Sequence, residues 1–132
     1  MVNGYRPHER QSFLSAFRHL ATAIERVVAG AATDDDRGHM LLGAAFAGLA
    51  IENSMLGAAH ASANPLTARH GVVHGHAVSR MLPSVMRFNA TVPAAAATYA
   101  RFETVLREAT ASALPLIDWV TAMVAQSSLP PL

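Results

Sequence analysis

The chain contains no cysteine and no lysine. Without cysteine there is no disulfide, no thiolate metal site and no cysteine nucleophile. An intracellular protein is the default, and the expected compartment is cytoplasmic. Without lysine, all 10 positive charges are arginine, and they are scattered singly. No basic stripe forms, so a nucleic acid is not an expected partner. Charge is sparse at 14% of residues, with a net charge of +1, which points to no polyanionic ligand. Strand-type alternation of Val, Ile, Thr and Tyr is missing. The opening MVNGYRPHERQS lacks the apolar core of a signal peptide. The most apolar run, Met40 to Ile51, is too short to span a bilayer and ends in Glu52-Asn53.

What remains is an alanine-rich chain of 132 residues, long enough for one domain with a real core. The composition and the periodicity predict an all-α bundle of about five helices, a single helical domain over residues 1–132. Phe13, Phe17, Leu20, Ile24, Val27 and Val28 recur at helical spacing and define the inner face of a helix over 10–29, with Gly30 as its stop. Thr33 and Asp34-Asp35-Asp36 suit the next helix N-terminus, where carboxylates meet orphan N–H groups. These three acids read as a solvated cap. The second helix is expected over 35–60. Its small residues, including Gly43, Ala47 and Gly48, predict a place in the centre of the packing. Pro65 restricts Asn64 and predicts a helix break, and Gly71 and Gly75 permit tight turns. Further helices are expected over 74–88, 94–110 and 115–126. Pro83 predicts a kink or an early boundary in the first of them, and Trp119 belongs in the core. Leu129-Pro-Pro-Leu132 cannot continue a helix.

Histidine carries the functional signal. Of the 7 histidines, His8, His19 and His39 read as exposed or structural. His60, His70, His74 and His76 crowd into one segment. Imidazole is the commonest protein ligand for a borderline divalent metal. His70 and His74, four apart, would share a face if that segment were helical. His60 closes one expected helix and His74 opens the next, so a turn between them can fold both rings toward one point.

The run Gly57-Ala-Ala-His60-Ala-Ser-Ala-Asn64-Pro-Leu-Thr-Ala-Arg-His70-Gly-Val-Val-His74-Gly-His76-Ala, followed by Met81-Leu-Pro-Ser-Val-Met-Arg-Phe-Asn89, resembles the iron-containing (group III) alcohol dehydrogenases of the dehydroquinate synthase-like superfamily. Ala45-Phe-Ala-Gly-Leu-Ala-Ile-Glu-Asn53 is similar to that family's central helix. The resemblance runs from roughly residue 10 to 127. It implies part of the C-terminal helical domain of a two-domain enzyme whose other half is an α/β domain holding NAD or NADP. It also implies a divalent metal, iron or zinc, that polarises the alcohol or aldehyde oxygen during hydride transfer. His60 and His74 match two of the family's metal ligands.

The departures from the family pattern are as informative. The family's Asp-x-x-x-His ligand pair would precede residue 10, and Met1 to Glu9 contains no such pair. Asn64 stands where the family usually has an active-site histidine; it can hydrogen-bond substrate but is a poor proton carrier. No Gly-rich nucleotide-binding half is present, so NAD(P) requires a partner chain. Two expectations follow. The chain is either a metal-binding portion of an alcohol dehydrogenase, inactive alone, or a non-catalytic oligomerisation or binding module derived from that family. His70 and His76 are possible replacements for the missing ligands. In either case the expected partners are a second copy, as a homodimer, or a nucleotide-binding chain, because truncation exposes apolar surface.

Overall fold

Helix-forming alanine and leucine runs, punctuated by glycine and proline, leave the backbone one regular option. The computed structural model describes residues 7–52 and 56–127, and they form α1 (Pro7–Val28), α2 (Asp34–Glu52), α3 (Ala58–His70), α4 (His74–Asn89), α5 (Pro93–Ala109) and α6 (Leu116–Gln126). No strand occurs among the described residues. The all-α expectation stands, with six helices in place of about five. The added helix is α3, which runs through the break expected at Pro65. Leu56 and Gly57 are non-helical, and Gly57, extended at φ −85° and ψ −175°, caps a separate helix. Asn53 and the C-terminal Leu129-Pro-Pro-Leu132 lie outside the described residues, as do the side chains of His8 and Glu52.

The core is built where α1, α4, α5 and α6 meet. Ala21, Met86, Leu106, Leu116, Trp119 and Met123 are buried there, with Phe17, Ile24 and Phe102 packed against them. Phe17 sets its ring edge-on to both Phe102 and Trp119, with centroids 5.1 and 6.0 Å apart. The indole N–H of Trp119 donates to Glu25 Oε1 at 2.7 Å, so the buried ring has its polar atom satisfied. Glu103 of α5 caps α6 by accepting the Leu116 N–H at 3.2 Å. Val27, expected inward, is exposed at the end of α1.

Two helices flank this core. α2 packs on α1, and α3 packs on α4. The small residues of α2 therefore do not occupy the centre. Gly43 alone is used for close approach: a β-carbon there would come within 2.8 Å of the Leu20 side chain and 3.1 Å of the Ala16 carbonyl oxygen. The opposite face of α2 leaves Leu41, Leu42 and Leu49 exposed.

The α1–α2 turn is defined by Gly30, at φ 72°, and by a reciprocal cap. The Asp36 N–H donates to Thr33 Oγ1 at 3.2 Å, and the Thr33 N–H donates to Asp36 Oδ2 at 2.9 Å. Asp36 is only 2% exposed, which corrects the solvated reading for this one of the three acids. Arg26 clamps it, with Nε 2.9 Å from both carboxylate oxygens. The Arg26 hydrogen bond and the Thr33 N–H hold the Asp36 carboxyl well below the usual carboxylate range, against the opposing effect of burial.

Neither internal proline ends its helix. Pro65 lies within α3 and Pro83 within α4. Pro65 and Ala61, whose carbonyl the missing N–H would have met, are both on the exposed face, where that carbonyl is open to solvent. α3 instead ends at Gly71, whose φ of 65° permits the backbone reversal. Gly75, expected in a turn, lies inside α4.

Candidate metal centre

The turn at residues 71–73 sets the first residue of α4 beside one face of α3. That face carries His60, Asn64 and Thr67, spaced four and three apart along the helix. The resulting arrangement places the His60 and His74 rings 5.4 Å apart between centroids, tilted by 45°. His60 is half-buried and His74 is exposed. Thr67 Oγ1 lies 3.5 Å from Nδ1 of His74, at the outer limit of a hydrogen bond. Asn64 is exposed on α3, one turn after His60.

This geometry suits two imidazoles sharing one ion. With metal–nitrogen bonds of about 2 Å and tetrahedral angles, ring centroids stand on the order of 5 Å apart. A hydroxyl at Nδ1 is also the arrangement that turns Nε2 of a ligating histidine outward. The donor set is nonetheless partial. Among the described residues, no three His, Cys, Asp or Glu side chains converge as a metal would require. His70 lies near the far end of α3, ten residues from His60, a rise of roughly 15 Å. His76 lies on α4, and its Nε2 is 3.4 Å from Arg80 Nε, the donor of that contact.

The sequence matches the Fe-containing alcohol dehydrogenase family, C-terminal, over residues 9–128. The chain belongs to the Fe-containing alcohol dehydrogenase family. Within this family it is 40% identical over 85 residues to 1-propanol dehydrogenase of Salmonella typhimurium, covering 64% of this chain and 22% of that protein. It is 41% identical over 78 residues to lactaldehyde reductase of Escherichia coli K12, covering 58% of this chain and 20% of that protein. A third relative, aldehyde-alcohol dehydrogenase of Streptococcus pneumoniae, is 38% identical over 56 residues, covering 42% of this chain and 6% of that protein. The chain thus spans about a fifth of the length of the first two relatives. No solved structure gives a significant match. Membership explains why the His60–Asn64–His74 segment was recognisable, and the all-helical architecture agrees with the C-terminal part of the family.

Two features of the structure escaped sequence reasoning. Thr67 had no signal of its own; only α3 continuing through Pro65 aligns it with His60. The pairing of His19 with His39 was also missed, although the two are nearly equidistant from the turn at Gly30. An antiparallel helical hairpin centred there would have brought them together.

Proposed function

We propose that this chain is the metal-holding helical portion of an NAD(P)-linked alcohol dehydrogenase, acting on alcohols or aldehydes in company with a nucleotide-binding chain. The observation that carries this reading is the facing pair His60 and His74 at 5.4 Å in a chain of this family. A divalent ion of iron or zinc supplies Lewis acidity toward an alcohol or aldehyde oxygen when bound. His60 and His74 provide two of its ligands. Thr67 orients the His74 ring. Asn64, at the exposed centre of the face, hydrogen-bonds substrate without carrying a proton. Further ligands and the nicotinamide come from outside the described residues.

Exposed Leu41, Leu42 and Leu49 favour a companion reading, in which the chain works as an oligomer or as a non-catalytic module that pairs with another subunit. None of the described helices is long and apolar enough to cross a membrane. The cysteine-free composition favours the cytoplasm as its location.

Metal analysis tests the main reading. The chain is purified without chelator, alone and with a nucleotide-binding half of an alcohol dehydrogenase, beside His60→Ala and His74→Ala variants. Iron or zinc retained by the unmutated protein and lost by both variants is the expected result. An assembled pair that holds no metal and oxidises no simple alcohol would leave the companion reading in its place.

A further inference from the structure

His19 and His39 stand apart from the metal centre, and the fold puts them in contact. Their Nδ1 atoms lie 2.9 Å apart across the α1–α2 interface. The ring centroids are 5.2 Å apart, which is that distance plus one ring radius at each end. Both nitrogens therefore lie on the line joining the rings. A metal bound by both would sit off that line, with the rings converging on it. A proton between the two nitrogens fits the collinear arrangement: one ring donates its N–H and the other accepts. Phe46 stacks on His19 with centroids 5.8 Å apart and an interplanar angle of 15°, so α2 holds that ring by its face as well as its edge.

We propose that His19 and His39 form a proton-counting joint in the α1–α2 hairpin, closed by one shared proton and opened when both rings are fully protonated. In the neutral pair, one Nδ1–H faces one bare Nδ1. A first added proton goes to the bare Nε2 of the donor ring and leaves the bond in place, now charge-assisted. A second must go to the accepting Nδ1. Two N–H groups and two like charges then face each other, and the contact fails.

Most of the neighbouring charges are otherwise engaged. On α1, Arg18 pairs with Glu108 of α5, Glu25 accepts from Trp119 of α6, and Arg26 clamps Asp36. On α2, Asp34 pairs with Arg37, and the exposed Asp35 makes no ion pair among the described residues. Glu103 of α5 holds Arg107, and Asp118 of α6 is exposed. The clamp at Asp36 stays charged through the range where imidazole titrates, so opening is confined to the His19 end of the hairpin.

Nitrogen-15 NMR of the imidazoles in the unmutated full chain tests the shared proton directly. At pH 8 one of the two rings should carry its proton on Nδ1 and the other should not. A double-mutant cycle with His19→Phe and His39→Phe then measures their coupling. It should be about fivefold in the unfolding constant at pH 8, the size of an ordinary hydrogen bond; it should hold or rise while only one proton has been added and should vanish at pH 4. His39→Gln, which accepts a hydrogen bond at any pH, should keep the coupling at both. The proposal is overturned if neither or both Nδ1 atoms are protonated at pH 8, or if the coupling is equal at the two pH values. If the phenylalanine variants do not fold, the NMR result decides alone.

Discussion

His60 and His74 face each other across the corner between α3 and α4, with ring centroids 5.4 Å apart and Thr67 beside Nδ1 of His74. The pair depends on the backbone reversal at Gly71, because His74 is the first residue after that turn. The Thr67 contact gives a graded test of the site. Thr67→Val should weaken binding of zinc or cobalt by roughly tenfold, the usual effect of losing a group that orients a ligand. His60→Ala and His74→Ala should each weaken it further. Titration calorimetry on the three variants checks the order; an unchanged affinity in the histidine variants would remove them as ligands.

Asn64 lies one turn of α3 from His60, on the same face. Asn64→His should add a third imidazole beside the pair and raise metal affinity. The same calorimetry reads the change, and the visible spectrum of bound cobalt reports the added nitrogen. An affinity no higher than that of the unmutated chain would place residue 64 outside the ion's reach.

Gly43 is the point of closest approach between α2 and α1. Gly43→Ala gains helix propensity worth about 1 kcal/mol. It also drives a methyl group against Leu20 and the Ala16 carbonyl, an overpacking cost of roughly 1–3 kcal/mol. The net expectation is destabilisation of about 1 kcal/mol. Gly48→Ala, which meets nothing within 4 Å, should stabilise α2 instead. Urea unfolding of the two variants measures the difference in sign.

Asp36 supplies a pH dependence with a definite direction. Its carboxyl is held well below the usual carboxylate range in the folded chain, chiefly by Arg26. In the unfolded chain it titrates near pH 4. Its stabilising effect is therefore complete above that range and is lost as pH falls through it toward the folded value. Asp36→Asn should lower the melting temperature at pH 7 and flatten its decline in acid. A melting curve for Asp36→Asn that falls as steeply as that of the unmutated chain between pH 5 and pH 2 would refute the assignment.

Much of the architecture was readable from particular residues. Phe17 and Ile24 announce an inner face by helical spacing and Trp119 announces the core, and each packs there. Thr33 and the acids after it announce a helix start, and Thr33 caps α2. The motif around His60 and His74 carried the family. Other features were not readable, because they depend on what lies across a helix. Pro65 reads as a break until its face of α3 is seen to be exposed. The small-residue face of α2 reads as central until α2 is seen to pack on α1.

Local chemistry along the chain set the helical class, most helix boundaries and the two imidazoles at 60 and 74, because propensity, capping and periodicity act over a few residues. Only the tertiary structure decided which side chains meet. The burial of Asp36 under Arg26, the approach of Thr67 to His74 and the contact of His19 with His39 each join residues on different helices or turns. Such contacts are set by the angle and register at which helices pack, and a linear pattern of residue types carries that information only faintly.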